Sequence, residues 1–144
     1  MKENIIITNK KAQFNYYLEK KYEAGIILKG WEVKSIRNKK IHILDSYIKI
    51  INNKLYIIEF NITPLTSNCT HVNIEIKRNK ELLLNKKEII YIKTYIMKKG
   101  YSVIPTKIYW KNNLIKIEIA IALGKKLYDK KKDIKEKELK KDYF

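Results

Sequence analysis

Cysteine is nearly absent from this chain, and the residues that usually mark a metal or catalytic site are also scarce. Cys69 is the only cysteine among 144 residues, so no disulfide can form within the chain, as is typical of cytosolic proteins. The two histidines, His42 and His71, lie in unrelated contexts, and neither has a second ligand at metal spacing. The sequence therefore predicts no metal, no cofactor and no enzymatic activity.

Long apolar runs and glycine-rich loops are missing as well. The first residues, MKENIIITNKK, lack the apolar stretch of a signal peptide, and no run is long enough to span a membrane. Gly124-Lys125-Lys126 is not a phosphate loop, because the upstream glycine and the following Ser or Thr are missing. We expect a cytoplasmic protein without a membrane partner.

Positive charge, in contrast, is abundant. Lysine and arginine number 32 against 15 acidic residues, a formal net charge of +17. The last 21 residues hold nine lysines and five acids, so most of the excess belongs to residues 1–123. Such a field favours a polyphosphate partner and speeds its encounter. A surface that is merely kept soluble is the alternative.

Alternating isoleucines indicate short strands. Residues 114–122 place four isoleucines on one face, and Asn112-Asn113 predicts a tight turn to a partner strand at 103–110. Asn52-Asn53 repeats this device between 47–51 and 55–60. Further strands are expected through 72–76 and within 14–28.

Two helices interrupt the strands. WEVKSIR at 31–37 predicts a short helix with Val33 and Ile36 inward, and residues 86–99 carry isoleucines at spacings of three and four. Asn85 with Glu88 resembles a capping box, and Gly100 marks the other end. At least five strands with one or two helices predict a mainly β fold, best described as a closed or partly open OB-type barrel with flanking short helices.

The last segment does not fit that barrel. Residues 124–144 have scattered apolar residues, which cannot build a core, so we expect a basic tail that is disordered when free. Two favourable charge pairs, worth about 0.2–0.5 kcal/mol each, are too weak to hold an isolated helix but would ease folding on a phosphate-lined partner. The alternative is a solvated end without a role. The predicted domains are 1–123 and 124–144.

Aromatic residues interleaved with lysines suit unpaired RNA bases. Core packing is the alternative for most of them, and we expect at most two to stack on bases. These residues are Tyr16, Tyr17, Tyr22, Trp31, Tyr47, Tyr109 and Trp110. Glu23 and Glu32 could form a carboxylate pair, but nothing else suggests hydrolysis.

Several segments together resemble one known family, the tmRNA-binding small protein B or SsrA-binding proteins of bacterial ribosome rescue. Each motif alone is weak, but GWEVKSIR, the leucine–asparagine run and the tail are specific in combination. The matching stretches, in order over nearly the whole chain, are NKKA at 9–12, EAGI at 23–26, GWEVKSIR at 30–37, DSY at 45–47, NITP at 61–64, His71, KELLLN at 80–85, GY at 100–101, GKK at 124–126 and DK at 129–130.

The resemblance implies a barrel that binds the tRNA-like part of tmRNA and a tail that enters the empty mRNA channel of a stalled ribosome, at its decoding centre. Elongation factor Tu would be an indirect partner, through aminoacylated tmRNA. The implied RNA contacts are Glu23, Leu83 and Asn85, with phosphate contacts expected from the matching cations Lys11, Lys34 and Arg37. The implied tail positions are Gly124, Lys125, Lys126, Asp129, Lys130 and Lys131.

The residues themselves leave alternatives open. Asn85 is also the natural N-cap of the second helix, and Leu83 could belong to the core. Glu23 cannot be attracted to phosphate, so it would accept hydrogen bonds from base or ribose donors or orient a neighbouring lysine. A generic OB-fold RNA-binding or ribosome-assembly protein is the first alternative to the adaptor, and a small nuclease or RNA-modifying enzyme is the second.

Overall fold

The structure, a computed structural model, describes residues 4–65 and 78–125. Within those two ranges the chain forms nine strands and three short helices. The strands are β1 (Asn4–Thr8), β2 (Tyr16–Ile26), β3 (Ile41–His42), β4 (Tyr47–Ile51), β5 (Lys54–Ile58), β6 (Asn61–Ile62), β7 (Lys80–Leu83), β8 (Tyr101–Lys111) and β9 (Leu114–Gly124). The helices are α1 (Lys10–Asn15), α2 (Gly30–Arg37) and α3 (Lys86–Ile96).

Seven strands form one antiparallel sheet in the order β1-β8-β9-β2-β7-β5-β4, and β3 pairs with β6. The edge strand β4 packs against β8, so the sheet curls on itself. No ladder joins the two edge strands in the part of the chain that the structure describes. The predicted mainly β fold is confirmed, as a partly open OB-type barrel.

The hairpin of β8 and β9 is the longest pairing in the sheet and follows the isoleucine pattern. Ile117 and Ile119 are fully buried inside the barrel, whereas Lys116 and Glu118, which alternate with them along the strand, face outward. At the turn, Asn112 and Asn113 have φ of 51° and 63°, the left-handed pair that a tight hairpin turn requires. Asn52 and Asn53 do the same between β4 and β5, so both predicted hairpins are confirmed.

Isoleucine dominates the core, as the composition predicts. The largest fully buried side chains are Tyr109, Phe60, Lys80, Ile36, Ile43, Leu55, Ile57, Ile62, Ile92, Ile108, Ile117 and Ile119. A second, smaller cluster forms where Ala12 of α1 packs on Ile104 and Ala122 at the outer side of the sheet. Neither β1 nor α1 was predicted from the sequence.

An ion cluster fixes α2 to β7. Both carboxylate oxygens of Glu32 lie in the interior: Oε1 accepts the Lys29 backbone N–H at 2.7 Å and the Arg78 guanidinium, and Oε2 lies 3.8 Å from the Lys80 ammonium. Lys80 donates to the carbonyls of Phe60 and Arg78 at 2.9 and 2.7 Å. This network orients the predicted helix, whose Ile36 is fully buried and whose Val33 packs partly buried against the core.

The predicted long helix is present as α3 but ends at Ile96, earlier than the expected Lys99. The amide of Lys98 bonds the Tyr95 carbonyl at 3.0 Å, which tightens the last turn, and Gly100 then adopts a φ of 86°. At the start, the Asn85 amide donates to Glu88 Oε1 at 3.2 Å, which bears out the predicted capping pair.

The strand predicted at 72–76 lies outside the described residues. In the described part of the chain, no helix is both long and apolar enough to cross a bilayer.

Candidate nucleic-acid interface

The outward face of β2 brings several predicted residues together. Along β2, Tyr22 and Ala24 point into the barrel, whereas Glu23 and Gly25 face outward. Gly25 pairs with Leu83 on β7 and with Lys116 on β9. Residues that oppose each other across antiparallel strands share one face, so these side chains surround Gly25.

Lys111, which contacts Glu23, extends this surface. We call the set the β2 patch; it consists of Glu23, Gly25, Leu83, Lys111 and Lys116.

Glu23 is held from two sides. Its Oε2 accepts the Tyr109 hydroxyl at 2.6 Å and the Lys111 ammonium at 3.1 Å, and its Oε1 lies 3.3 Å from the same ammonium. The Tyr109 hydrogen bond, followed by the bond and charge of Lys111 and the charge of Lys116, lowers the pKa of Glu23 below its ordinary value. Glu23 is therefore an ionised acceptor at neutral pH.

Leu83 lies on the surface, not in the core. Its side chain is 54% exposed, whereas the preceding Leu82 is buried. A Cβ built on Gly25 would lie 3.4 Å from Leu83 Cβ and 3.8 Å from Lys116 Nζ. Because Gly25 has no side chain, a shallow depression lies between the apolar Leu83 and the cationic Lys116. Another backbone can approach the Gly25 backbone closely there.

Asn85 lies two residues beyond Leu83, at the N-terminus of α3. It is exposed, and its carbonyl accepts the Ile89 amide at 3.0 Å as the helix begins. The structure therefore places Glu23, Leu83 and Asn85 at one end of β7, although their roles toward RNA stay predictions.

Arg37 lies beside the turn of the long hairpin. Its guanidinium carbon is 5.3 Å from the centre of the Trp110 ring, and the two residues line an open cleft with Asn113. Trp110 precedes Lys111 on β8, so the hairpin tip carries a cation on each side. Lys34 is exposed one turn earlier on α2.

Lys11 lies far from the β2 patch. Its ammonium is 3.2 Å from Asp45 Oδ1, and it lines a groove of about 380 Å³ that also includes Ser102, near the start of β8. Ser102 and Lys111 are nine residues apart on one strand, which corresponds to roughly 30 Å. The structure does not bring Lys11 together with Glu23, and the predicted contacts divide into separate surfaces.

The described residues include only the beginning of the predicted tail. Gly124 still pairs with Tyr16 as the last residue of β9, one residue past the predicted boundary. The Lys125 amide donates to the Asn15 carbonyl at 2.9 Å, and its ammonium bonds the Gln13 carbonyl at 3.1 Å. Lys126, Asp129, Lys130 and Lys131 lie outside the described residues.

In the described part of the chain, the carboxylates considered for hydrolysis do not converge on one site. Glu32 is enclosed in its ion cluster, whereas Glu23 lies on the outer surface, so the two do not face a common substrate. His42 pairs with Asp45 at 3.2 Å, and His71 lies outside the described residues. In residues 4–65 and 78–125 no three His, Cys, Asp or Glu side chains form a candidate metal site.

Of the aromatic residues predicted to be core or stacking platforms, three are buried: Tyr22, Trp31 and Tyr109. Tyr17 and Tyr47 are exposed by 42% and 43%. The Lys125 ammonium lies 4.9 Å above the centre of the Tyr17 ring.

Comparison with known proteins decides the family. A family model described as "SmpB protein" matches residues 6–143, nearly the whole chain. The chain belongs to the SmpB family. An SsrA-binding protein of Ruthia magnifica subsp. Calyptogena magnifica is 48% identical over 139 residues, which cover 96% of this chain and 84% of that protein. An SsrA-binding protein of Thermoanaerobacter pseudethanolicus is 46% identical over a stretch that covers 94% of this chain and 86% of that protein.

A solved structure extends the SmpB similarity to three dimensions. A chain of the structure described as "tmRNA-SmpB: a journey to the center of the bacterial ribosome" superposes with a TM-score of 0.69. The identity is 33%, and the superposition covers 84% of this chain and 85% of the other.

Sequence reasoning on this SmpB-family chain did not identify Lys111, Lys116 or Tyr109 as partners of Glu23. Lys116 alternates with buried isoleucines on β9, so its outward position could have been found from the strand pattern. The bond between Tyr109 and Glu23 joins residues 86 apart and depends on the strand register, which no sequence signal gives.

Proposed function

We propose that this chain is the tmRNA-binding adaptor of trans-translation in its cell. The barrel binds the tRNA-like part of tmRNA, with Glu23, Leu83 and Asn85 at the contact and Lys34 and Arg37 on phosphates. Residues 126–144 occupy the empty mRNA channel of a stalled ribosome. The adaptor performs no chemical step, and elongation factor Tu joins only through the aminoacylated RNA.

The observation that carries this proposal is the nearly full-length similarity to proteins named for binding SsrA. The charge of +17 alone would fit any polyphosphate, so it cannot select the adaptor over a generic RNA-binding protein.

The β2 patch supports the same function from its chemistry. The Lys116 ammonium and the exposed Leu83 flank the bare backbone of Gly25, and the Lys111 ammonium lies against the neighbouring Glu23. Cations attract a phosphate, while an apolar side chain over an open backbone floor fits a sugar or base edge. This combination suits a folded RNA better than it suits a small anion.

Competition binding tests the proposal. Labelled tmRNA is bound to the full chain and displaced with unlabelled tmRNA or with bulk tRNA at several salt concentrations. We expect tmRNA to compete far better than tRNA at each salt concentration. Equal competition would favour the generic RNA-binding alternative. Incubation of labelled RNA with the protein and Mg²⁺ should leave the RNA unchanged; cleavage or a mass change would favour the enzyme alternative.

The proposed division of labour gives a separate prediction for the C-terminal segment. A chain that ends at Lys125 keeps the hydrogen bonds of Gly124 and Lys125 to the body. We expect it to bind tmRNA with nearly the affinity of the full chain, because the predicted tmRNA contacts precede residue 126. It should fail to support tagging of stalled peptides in cells that lack their own adaptor. Parallel loss of tmRNA affinity and tagging would contradict the division.

A further inference from the structure

An anionic side chain lies where the proposed function needs an RNA contact. A carboxylate repels phosphate, so Glu23 helps to bind RNA only by accepting a hydrogen bond from a base or ribose, or by placing a cation. The two roles differ in where the RNA meets the protein, and the geometry around Glu23 distinguishes them.

Both oxygens of Glu23 are already engaged within the protein. The Tyr109 hydroxyl bonds Oε2 at 2.6 Å, and the Lys111 ammonium lies 3.1 and 3.3 Å from the two oxygens. Tyr109 is only 2% exposed, so its hydroxyl is a rigid anchor. An RNA donor would have to share or displace these charge-assisted bonds.

Lys111 is the side chain whose binding to RNA would become less costly if Glu23 fixed its position. It is the last residue of β8, directly before the Asn112-Asn113 turn, and its side chain is 45% exposed. A lysine stem has four rotatable bonds, and fixing it on RNA costs conformational entropy. Contact with Glu23 orders the ammonium before RNA arrives, while the remaining ammonium hydrogens can meet a phosphate oxygen.

We propose that Glu23 is a positioning residue: with Tyr109 behind it, Glu23 holds the Lys111 ammonium against a backbone phosphate of tmRNA. This inference rests on the proposed function and deepens it. Lys116 is the second cation of the same site, and Leu83 forms its apolar wall beside Gly25.

The sign of one substitution separates this role from general electrostatics. Glu23→Gln removes a negative charge, which by charge alone should tighten RNA binding. If Glu23 positions Lys111, the same change should weaken binding. Glu19→Gln is a matched control, because Glu19 lies on the same strand and accepts the Tyr101 hydroxyl of β8 at 3.2 Å. We expect Glu19→Gln to leave tmRNA affinity unchanged or to raise it.

A double-mutant cycle then tests the path through Lys111. Affinity for tmRNA is measured for wild type, Glu23→Gln, Lys111→Met and the double variant over a range of salt. We expect each single change to weaken binding about tenfold, the scale of one charged hydrogen bond. The double variant should be no weaker than Lys111→Met, and Lys111→Arg should retain most of the affinity. Both single changes should lower the slope of log affinity against log salt, by up to about one.

Urea unfolding of each variant separates loss of a contact from loss of the fold. Effects that multiply in the double variant, or a Glu23→Gln variant with weaker binding but an unchanged salt slope, would mean that Glu23 meets an RNA donor directly. Either result overturns the positioning role and leaves the proposed function standing. The proposed function itself fails if wild type does not prefer tmRNA over tRNA.

Discussion

At the scale of single residues, the interior carboxylate of Glu32 is the counter-charge of two cations, Arg78 and Lys80. We predict that Glu32→Gln lowers the free energy of unfolding by about 3–5 kcal/mol, because the cations of Arg78 and Lys80 lose their buried counter-charge. Urea unfolding followed by tryptophan fluorescence, from Trp110 and from Trp31 next to Glu32 in α2, measures the change.

The control is a carboxylate with similar partners at the surface. Asp45 pairs with Lys11 and His42, both at 3.2 Å, but it is well exposed. Asp45→Asn should barely alter the unfolding midpoint, because water screens exposed ion pairs. Equal losses for the two variants would show that burial does not set the strength of the Glu32 cluster.

Glu32 and Glu23 also show how far single residues could be predicted. The motif GWEVKSIR correctly marked a helix, yet nothing in it distinguishes Glu32, which is buried, from Glu23, which is on the surface. The difference arises because Arg78 and Lys80 come from a segment more than 40 residues away. For the same reason Glu23 was identified by resemblance alone, and its partners Tyr109 and Lys111 needed the register of three strands.

At the scale of elements, the start of α3 combines a capping role and a predicted RNA contact. Asn85→Ala removes both, with an expected stability loss of about 0.5–2 kcal/mol and weaker tmRNA binding. Glu88→Ala removes only the acceptor of the Asn85 amide, with an expected loss of about 0.3–1.5 kcal/mol and unchanged tmRNA affinity. Thermal unfolding and tmRNA titration of both variants measure these quantities. If Glu88→Ala weakens binding as much as Asn85→Ala, then Asn85 acts through the helix and not through RNA.

Whole elements were predictable where the pattern was long and local. β9 repeats isoleucine at every second position, and both Asn-Asn turns carry the residue type that tolerates positive φ. β1 has three consecutive isoleucines and no alternation, and α1 is only six residues long, too short for a helical period to show. Their places come from tertiary contacts: the Asn9 amide bonds the Thr106 carbonyl at 2.7 Å, and its side-chain nitrogen bonds the Pro105 carbonyl at 2.8 Å.

At the scale of the whole molecule, titrating groups at both ends of the pH range support the fold. The hydrogen bond from the Tyr109 hydroxyl, followed by the bond and charge of Lys111, lowers the pKa of Glu23, and hydrogen bonds to His42 and then Lys11 lower the pKa of Asp45. The stability that Glu23 contributes through these contacts is present at neutral pH and is lost as acid protonates it, below the ordinary value of 4.5, whereas the exposed Asp45, whose ordinary value is 3.8, adds little because water screens its pairs. The acid loss should be steep, because a chain with a net charge of +17 then gains further positive charge.

The alkaline side depends on a cluster of tyrosines at the surface. The hydrogen bond shared with the Tyr91 hydroxyl, followed by the charge interaction with that neighbour, favours the neutral form of Tyr95 and raises its pKa to about 12, and the bond to Glu19 raises the pKa of Tyr101. A phenol with a raised pKa in the folded state contributes its full stability below pH 10.0, the ordinary value, and loses it as pH rises toward 12.

We therefore predict a urea midpoint that is flat near neutral pH and falls both below about pH 4.5 and above about pH 10. Tyr95→Phe should flatten the alkaline fall, because the group whose titration opposes folding is gone, and should leave the acid fall unchanged. The midpoints of wild type and Tyr95→Phe, measured from pH 3 to 11 at constant ionic strength, test this. An alkaline fall of the same size in both proteins would show that groups other than Tyr95 cause it, and that Tyr95 does not link folding to pH.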